Sequence, residues 1–311
     1  MTWPTLPARA AYLALQNGKR RNALSLAVLR DLKEQLMRYN TSPTDGRLRI
    51  LPPFKASILN DLERVSEGKA SDETTSDLAW LLDGETWRSE REGLPSVVVL
   101  RSEGPVFSSG HDLRELSQLS HEDVKTTFEL CAEVMTLIRR SPAPVVGVIQ
   151  GLATAAGCQL ALTTDLPMAA ADTRLQLPGA SIGLPCTSPS TAVSRKLGTS
   201  LTYRMLALAE PIRAADLPPG TIEIVPDAES LERRVQEVVM KLADQSGAQS
   251  QALGKWAFWT QSGLGGSDSG GDGYEAAVSW AGRIMALHAR SDDAKEGITA
   301  FFEKRTPMFK L

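Results

Sequence analysis

The chain has 311 residues, 34 of them Lys or Arg against 37 Asp or Glu, for a formal net charge of -3. So even a balance excludes the basic footprint of a nucleic-acid binder or of a protein drawn to anionic membranes. The hydrophobic fraction of 42% and charged fraction of 23% are those of a globular chain able to bury a sizeable core.

Residues 10–16 read as a strand, and the Leu24, Leu29, Leu32 and Leu36 spacing that follows predicts an amphipathic helix. From about Asn40 to Pro95 the chain is polar and punctuated by Pro43, Pro52 and Pro53. It is read as an insertion packed on the outside, with helices near 56–67 and 72–90. Ser96–Leu100 is a β-branched run typical of a buried strand. A Gly/Ser loop, "E-G-P-V-F-S-S-G-H-D-L", leads to a helix at 121–140 with Val124, Phe128, Cys131, Met135 and Ile138 on its apolar face. A strand at 144–149, a helix at 155–163 and a strand at 166–171 continue an alternation that implies a mostly parallel sheet in an α/β fold. Beyond about 226 only helices are expected, at 228–244, 248–262, 274–290 and 291–304, with a Gly/Ser/Asp loop at 263–273 and Ser291 as a helix start. Their apolar residues Trp280, Ile284, Met285, Ile298, Phe301 and Phe302 exceed the needs of a surface layer. No run approaches the ~18 apolar residues of a membrane span, and the apolar stretch from Ala11 begins too early for a long leader.

Three cysteines, Cys131, Cys158 and Cys186, are odd in number and form no C-x-x-C. This argues against a disulfide framework and for a reducing compartment. No His/Asp cluster has metal-ligand spacing.

Chemistry is concentrated in two loops, "F-S-S-G-H-D-L" (107–113) and "A-T-A-A-G-C" (153–158). Each places small residues where a strand gives way to a helix, so a ligand can approach the backbone closely. The first N–H groups of a helix lack internal partners, and two converging on one oxygen form an oxyanion hole. Close helix–sheet packing is the alternative use for such residues.

"N-A-L-S", "G-P-V-F-S-S-G-H-D-L", "G-L-A-T-A-A-G-C-Q-L" and "P-G-A-S-I-G-L" occur in this order. With "E-G-I-T-A-F-F-E-K-R-T-P" near the C-terminus, they resemble the enoyl-CoA hydratase/isomerase (crotonase) superfamily over residues 10–40 and 96–311. The resemblance implies a ββα spiral core over 1–225, with 41–95 inserted, and a C-terminal helical trimerisation region over 226–311. It implies a homotrimer or dimer of trimers, and an acyl-CoA thioester as ligand in fatty-acid metabolism, with coenzyme A entering only as part of that substrate. The thioester oxygen would be held by the backbone N–H groups of His111 and Ala156. Arg21, Asn22 and Ala23, with His111, Asp112, Leu113 and Arg114, would contact the coenzyme A portion, and Lys19 and Arg20 could serve its phosphates.

Two positions depart from the family. Where its hydratases carry their two glutamates, this chain has Gln159 and Gly179. An amide cannot take up and release a proton as general acid–base catalysis requires, so hydration by the standard route is not expected. Two functions remain: an acyl-CoA lyase or isomerase with another proton-transfer group, for which His111 is the candidate, and a non-catalytic acyl-CoA binder. A rival from another class is an α/β-hydrolase, since "G-A-S-I-G" matches a nucleophile elbow at Ser181 with His288 downstream. Pro185 and Pro189 oppose the immediate helix an elbow needs. The reading places the protein in mitochondria or cytoplasm, and the terminal Phe309-Lys310-Leu311 shares Lys-Leu with a peroxisomal address.

Overall fold

The β-branched and small-residue runs build the frame that positions everything else. In the computed structural model, which describes residues 3–69, 77–263 and 292–309, the strands are β1 (Ala10–Leu15), β2 (Val97–Ser102), β3 (Val145–Ile149), β4 (Leu152–Thr154), β5 (Leu166–Ala170), β6 (Arg174–Gln176), β7 (Ile212–Arg213) and β8 (Glu223–Val225). The helices are α1 (Leu26–Asn40), α2 (Ile58–Ser66), α3 (Gly84–Glu90), α4 (Leu113–Leu116), α5 (His121–Arg140), α6 (Ala156–Thr163), α7 (Thr187–Leu197), α8 (Thr199–Leu208), α9 (Ala228–Asp244), α10 (Ala248–Gln261) and α11 (Asp292–Glu303). The chain divides into one unit of Met1–Tyr39, Val97–Arg139 and Val145–Met240, and a second of Asn40–Ser96, Arg140–Pro144 and Lys241–Leu311.

The first unit holds all the strands of the described residues. A five-stranded sheet runs β1-β2-β3-β5-β8, and every pairing in it is parallel. A smaller sheet runs β4-β6-β7. From β3 to β6 consecutive strands alternate between sheets: β3 joins the large one and β4 the small one before α6 begins, and β5 and β6 repeat the step. This is the expected ββα repeat. Val97, Val98, Val99 and Leu100 of β2 are fully buried, as are Val145, Val146 and Ile149 of β3, which explains why both read as continuous apolar runs. The short strands β6, β7 and β8 have too few residues to show a periodic pattern, and the sequence reading did not anticipate them.

β1 lies at one edge of the large sheet. The Gln35 amide of α1 closes part of that edge by accepting from the Ala14 N–H at 2.9 Å and donating to the Ala14 carbonyl at 3.2 Å. The Tyr39 hydroxyl donates to the Tyr12 carbonyl at 2.7 Å. Such side-chain cover is a standard way to blunt an exposed strand.

In the second unit, residues 41–95 share a core with the C-terminal helix α10. Leu51, Leu59, Leu62, Trp80, Leu81 and Trp87 of this segment form one buried cluster with Ala252, Leu253, Trp256 and Ala257 of α10. Trp80 and Trp87 stack with ring centroids 5.4 Å apart, and the Trp256 indole donates to the Pro53 carbonyl at 3.1 Å. The segment is polar in composition because a small core of few, widely spaced apolar residues suffices once α10 supplies the other half. Arg49 is buried among acids, pairing with Glu90, Asp45 and Asp77.

The helix expected at 72–90 is instead a 3-10 turn, Ala79–Leu81, followed by α3, whose N-cap Asp83 accepts from the Thr86 N–H at 2.8 Å. Residues 72–76 of that expectation lie outside the described residues, as do the helix at 274–290 with Trp280, Ile284, Met285 and His288, the loop from 264, Ser291, and Lys310-Leu311. Ile298, Phe301 and Phe302 fall on α11.

Candidate functional site

The two small-residue loops pack backbone against backbone. Residues 107–112 form a ribbon between two neighbours. On one side, Phe107 N–H donates to Gln150 O, Ser108 N–H to Leu152 O, and Thr154 N–H to Ser108 O, at 3.1, 3.2 and 3.0 Å. On the other, Leu24 N–H donates to Gly110 O at 2.8 Å and Asp112 N–H to Leu24 O at 3.5 Å. This pattern fixes the orientation of His111. Gly110 O and Asp112 N face Leu24, so the His111 N–H faces the opposite way.

Small residues are required here by contact distance. Gly110 has φ of +81°, and a Cβ there would lie 2.9 Å from both the Ala155 Cβ and the Thr154 carbonyl, and 3.3 Å from the Ala156 nitrogen. A Cβ on Gly157 would lie 2.6 Å from the Ser108 Cβ and carbonyl. Between β4 and α6 the chain turns at Ala155, with φ 52° and ψ -124°. A side-chain-bearing residue in such a region stores on the order of 1–3 kcal/mol of strain. The turn is held by the Ala155 N–H donating to Gln176 O at 3.0 Å. It aims the first turn of α6 at residues 108–111. The N–H groups of His111 and Ala156 have no acceptor among the described residues, and that of Ala156 belongs to the positive end of a helix whose eight residues are all buried.

The structure separates the remaining predicted residues by role. The His111 ring places Nδ1 3.3 Å from Leu24 O and meets the Phe128 ring edge-on at 4.9 Å. Burial holds its pKa below the usual value, against the pull of the Leu24 carbonyl and Glu115. Phe128, expected on the buried face of α5, is 38% exposed and serves this ring instead. Asp112 caps α4, accepting from the N–H groups of Arg114 and Glu115 at 3.1 and 3.2 Å, and its other oxygen lies 3.2 Å from the Arg20 guanidinium. Asn22 is fully buried and its amide is consumed internally, by Asn17 N–H, Glu103 O and Val106 O. Ala23 is buried beside it, while Arg21, Leu113 and Arg114 are exposed.

Gln159 lies one helical turn after Ala156 and is 4% exposed. Its Nε2 is 3.2 Å and its Oε1 3.4 Å from the Ser188 hydroxyl, near the start of α7. Ser188 was missed by sequence reasoning, and its signal is slight: a serine in the first turn of a helix that begins after Pro185. Gly179 sits in the 3-10 turn Pro178–Ile182. A Cβ there would collide with the Leu184 carbonyl and lie within 3 Å of the Cys186 N and Sγ. The Gly179 N–H donates to Cys186 Sγ at 3.3 Å. Burial pushes the Cys158 thiol up to about 12 and raises that of Cys186, as fits thiols that pack rather than react. Ser181 is exposed and donates to Pro178 O at 2.7 Å. Its turn leads to four further residues before α7 begins, and Pro189 falls within the first turn of α7, where a missing N–H costs little.

A cavity of about 740 Å³ opens elsewhere in this unit, beyond the carboxyl ends of β1, β2 and β3, lined by Trp3, Arg101, Glu103, Gln150 and Glu232 among others. None of the predicted site residues lines it. The loop geometry, rather than the size of this cavity, therefore identifies the candidate site.

The family model for enoyl-CoA hydratase/isomerase matches residues 87–311. The chain belongs to the enoyl-CoA hydratase/isomerase family. Among its relatives is the rat protein "Enoyl-CoA hydratase domain-containing protein 3, mitochondrial", 32% identical over 96% of this chain and 80% of the relative. The human protein of the same name is 31% identical over 96% of this chain and 79% of the relative. The crystal structure of human enoyl coenzyme A hydratase domain-containing protein 3 superposes with a TM-score of 0.70 at 30% identity, covering 98% of both chains. An enoyl-CoA hydratase structure from Bacillus anthracis reaches a TM-score of 0.74 over 99% of this chain and 98% of that one at 21% identity, a likeness of fold.

Proposed function

We propose that this protein binds an acyl-CoA thioester, with the thioester oxygen accepting from the N–H groups of His111 and Ala156. The observation that carries this is the close backbone packing of 108–111 against 154–157, which leaves both N–H groups without acceptors among the described residues. Lys19, Arg21 and Arg114, exposed on the flanking segments, are basic groups available to a coenzyme A phosphate. A fatty-acid role, a homotrimeric assembly and a mitochondrial location, the last printed in the names of the rat and human relatives, belong to the same reading.

Hydration by paired glutamates is not part of it. Gln159 offers an amide and Gly179 no side chain at all. A second reading, a binder without turnover, is favoured by this same absence and by a His111 ring engaged with Leu24 and Phe128. The test is calorimetric titration with butyryl-CoA and free coenzyme A, followed by mass spectrometry after incubation with crotonyl-CoA. The expected result is tighter binding of the thioester than of coenzyme A. Ala156→Leu, which pushes the two loops apart, should lower thioester affinity by about threefold to tenfold, since each hydrogen bond to the ground-state thioester oxygen is worth about 0.5–1.5 kcal/mol net. Equal affinity for butyryl-CoA and coenzyme A in the parent protein would remove the oxyanion hole from the reading. A product in the mass spectrum decides for the enzyme over the binder.

A further inference from the structure

Replacing a carboxylate by an amide changes more than acid–base capacity. A glutamate at position 159 could only accept hydrogen bonds when ionised, so it would favour water or a hydroxyl. Gln159 adds two N–H donors. One Nε2 hydrogen reaches Ser188, 3.2 Å away, and the Ser188 hydroxyl lies 3.4 Å from Oε1. That pairing leaves one amide hydrogen to spare on a residue that is 96% buried, from the 4% exposure. A buried donor left unmatched costs about 1–3 kcal/mol, which makes it a demand for an acceptor. The Thr154 hydroxyl, on the strand that feeds the same helix, is likewise buried without a partner among the described residues.

The place of this amide is set by the helix. Residues three apart share a face, with Cβ atoms about 5–6 Å apart, so the Gln159 amide lies one turn along from the Ala156 N–H. Resting on the reading above, with the thioester oxygen at Ala156 and His111, the next atoms of an acyl chain run past Gln159. The groups gathered here are neutral: two backbone N–H groups, an amide and a serine hydroxyl, beside the buried thiols of Cys158 and Cys186. Arg20, beside the 108–112 ribbon, is held by Asp112. A carboxylate brought into such surroundings would lose its hydration without gaining a counter-charge, whereas a carbonyl would meet a donor.

We propose that Gln159, positioned by Ser188, selects acyl thioesters with a neutral acceptor oxygen on C3, the 3-oxoacyl class, over saturated and 2-enoyl chains. Gly179 supports the selection. The closed turn of Pro178–Ile182 under Leu184 and Cys186 leaves no room for a polar side chain at position 179.

The experiment is titration calorimetry of the intact protein with acetoacetyl-CoA, butyryl-CoA, crotonyl-CoA, malonyl-CoA and free coenzyme A. Acetoacetyl-CoA should bind about tenfold or more tightly than butyryl-CoA, because a site built to donate a hydrogen bond rejects the analogue that lacks the acceptor. Gln159→Leu should bring that ratio close to one. Ser188→Ala should lower the ratio part of the way and Ser188→Thr should restore it, which a merely structural role for Ser188 would not produce. Equal affinities for acetoacetyl-CoA and butyryl-CoA in the parent protein overturn the selection and leave the acyl-CoA reading standing. Tightest binding of malonyl-CoA overturns it in favour of a carboxylate. If no thioester binds more tightly than coenzyme A, the reading on which the selection rests falls with it. Should Gln159→Leu fail to fold, the ratio in the parent protein still decides.

Discussion

Gly179 shows how little freedom its turn retains. Its amide is tied to Cys186 and its missing side chain is occupied by the Leu184 carbonyl. Rebuilding a hydratase by Gln159→Glu with Gly179→Glu is therefore blocked sterically at the second position. Gly179→Ala is expected to destabilise the fold by about 1–3 kcal/mol, the usual cost of overpacking, visible as a lower midpoint in urea. A midpoint unchanged from the parent would mean that the turn relaxes freely. Position 179 read as a lost carboxylate in sequence, and nothing there announced that the surrounding turn had closed. Asn22 carries a structural role that its place in the motif did not announce: its amide joins 17, 103 and 106. His111 makes the pH prediction of this scale. Its folded pKa is depressed by burial below the ordinary value of about 6.5. The unfolded chain then binds a proton in a window where the folded one does not, so stability is full above that ordinary value and falls as pH drops toward the folded pKa. His111→Gln should flatten that part of the stability–pH curve. An identical slope in the variant would assign the pH dependence elsewhere.

At the scale of elements, strands and helices of ordinary length were legible because burial leaves periodicity. β2, β3, α5, α6 and α9 lie where the apolar patterns put them, within one to two residues. Segment 41–95 was not. Its core residues are spaced too irregularly to mark a face, and their partners on α10 lie more than 150 residues further along the chain. Trp256 is the centre of that shared core, fully buried and bonded to Pro53 O. Trp256→Ala is expected to cost about 3–5 kcal/mol, as large aromatic truncations do. Deleting 41–95 should leave α10 with an uncovered apolar face and yield aggregated protein. A soluble, cooperatively melting deletion variant would restore the view of this segment as an ornament.

For the molecule as a whole, the parallel order β1-β2-β3-β5-β8 means that the large sheet ends in two edges with different protection. The β8 edge is only three residues long, Glu223–Val225, and short edge strands are poor templates for further pairing. The β1 edge has six residues, Ala10–Leu15, and depends on α1 for cover. Neither feature was legible beforehand, because an edge is a property of strand order and strand order is not written in local periodicity. Gln35 answers both an N–H and a C=O of Ala14 and also donates to Asp31, so its amide orientation is fixed by three partners. Gln35→Ala removes two backbone bonds from the edge at once. Each is worth about 0.5–1.5 kcal/mol net, and a backbone group left buried without a partner costs more. The expected outcome is a loss of about 1–3 kcal/mol in denaturant titration, together with concentration-dependent self-association in sedimentation as the freed edge of β1 seeks another strand. Gln35→Glu separates the two effects: its carboxylate can still accept from Ala14 N–H but cannot donate to Ala14 O, and its charge opposes edge-to-edge pairing. It should lose stability without associating. If Gln35→Ala neither loses stability nor associates, water covers this edge as well as the side chain does, and α1 stays in place through its buried leucines alone.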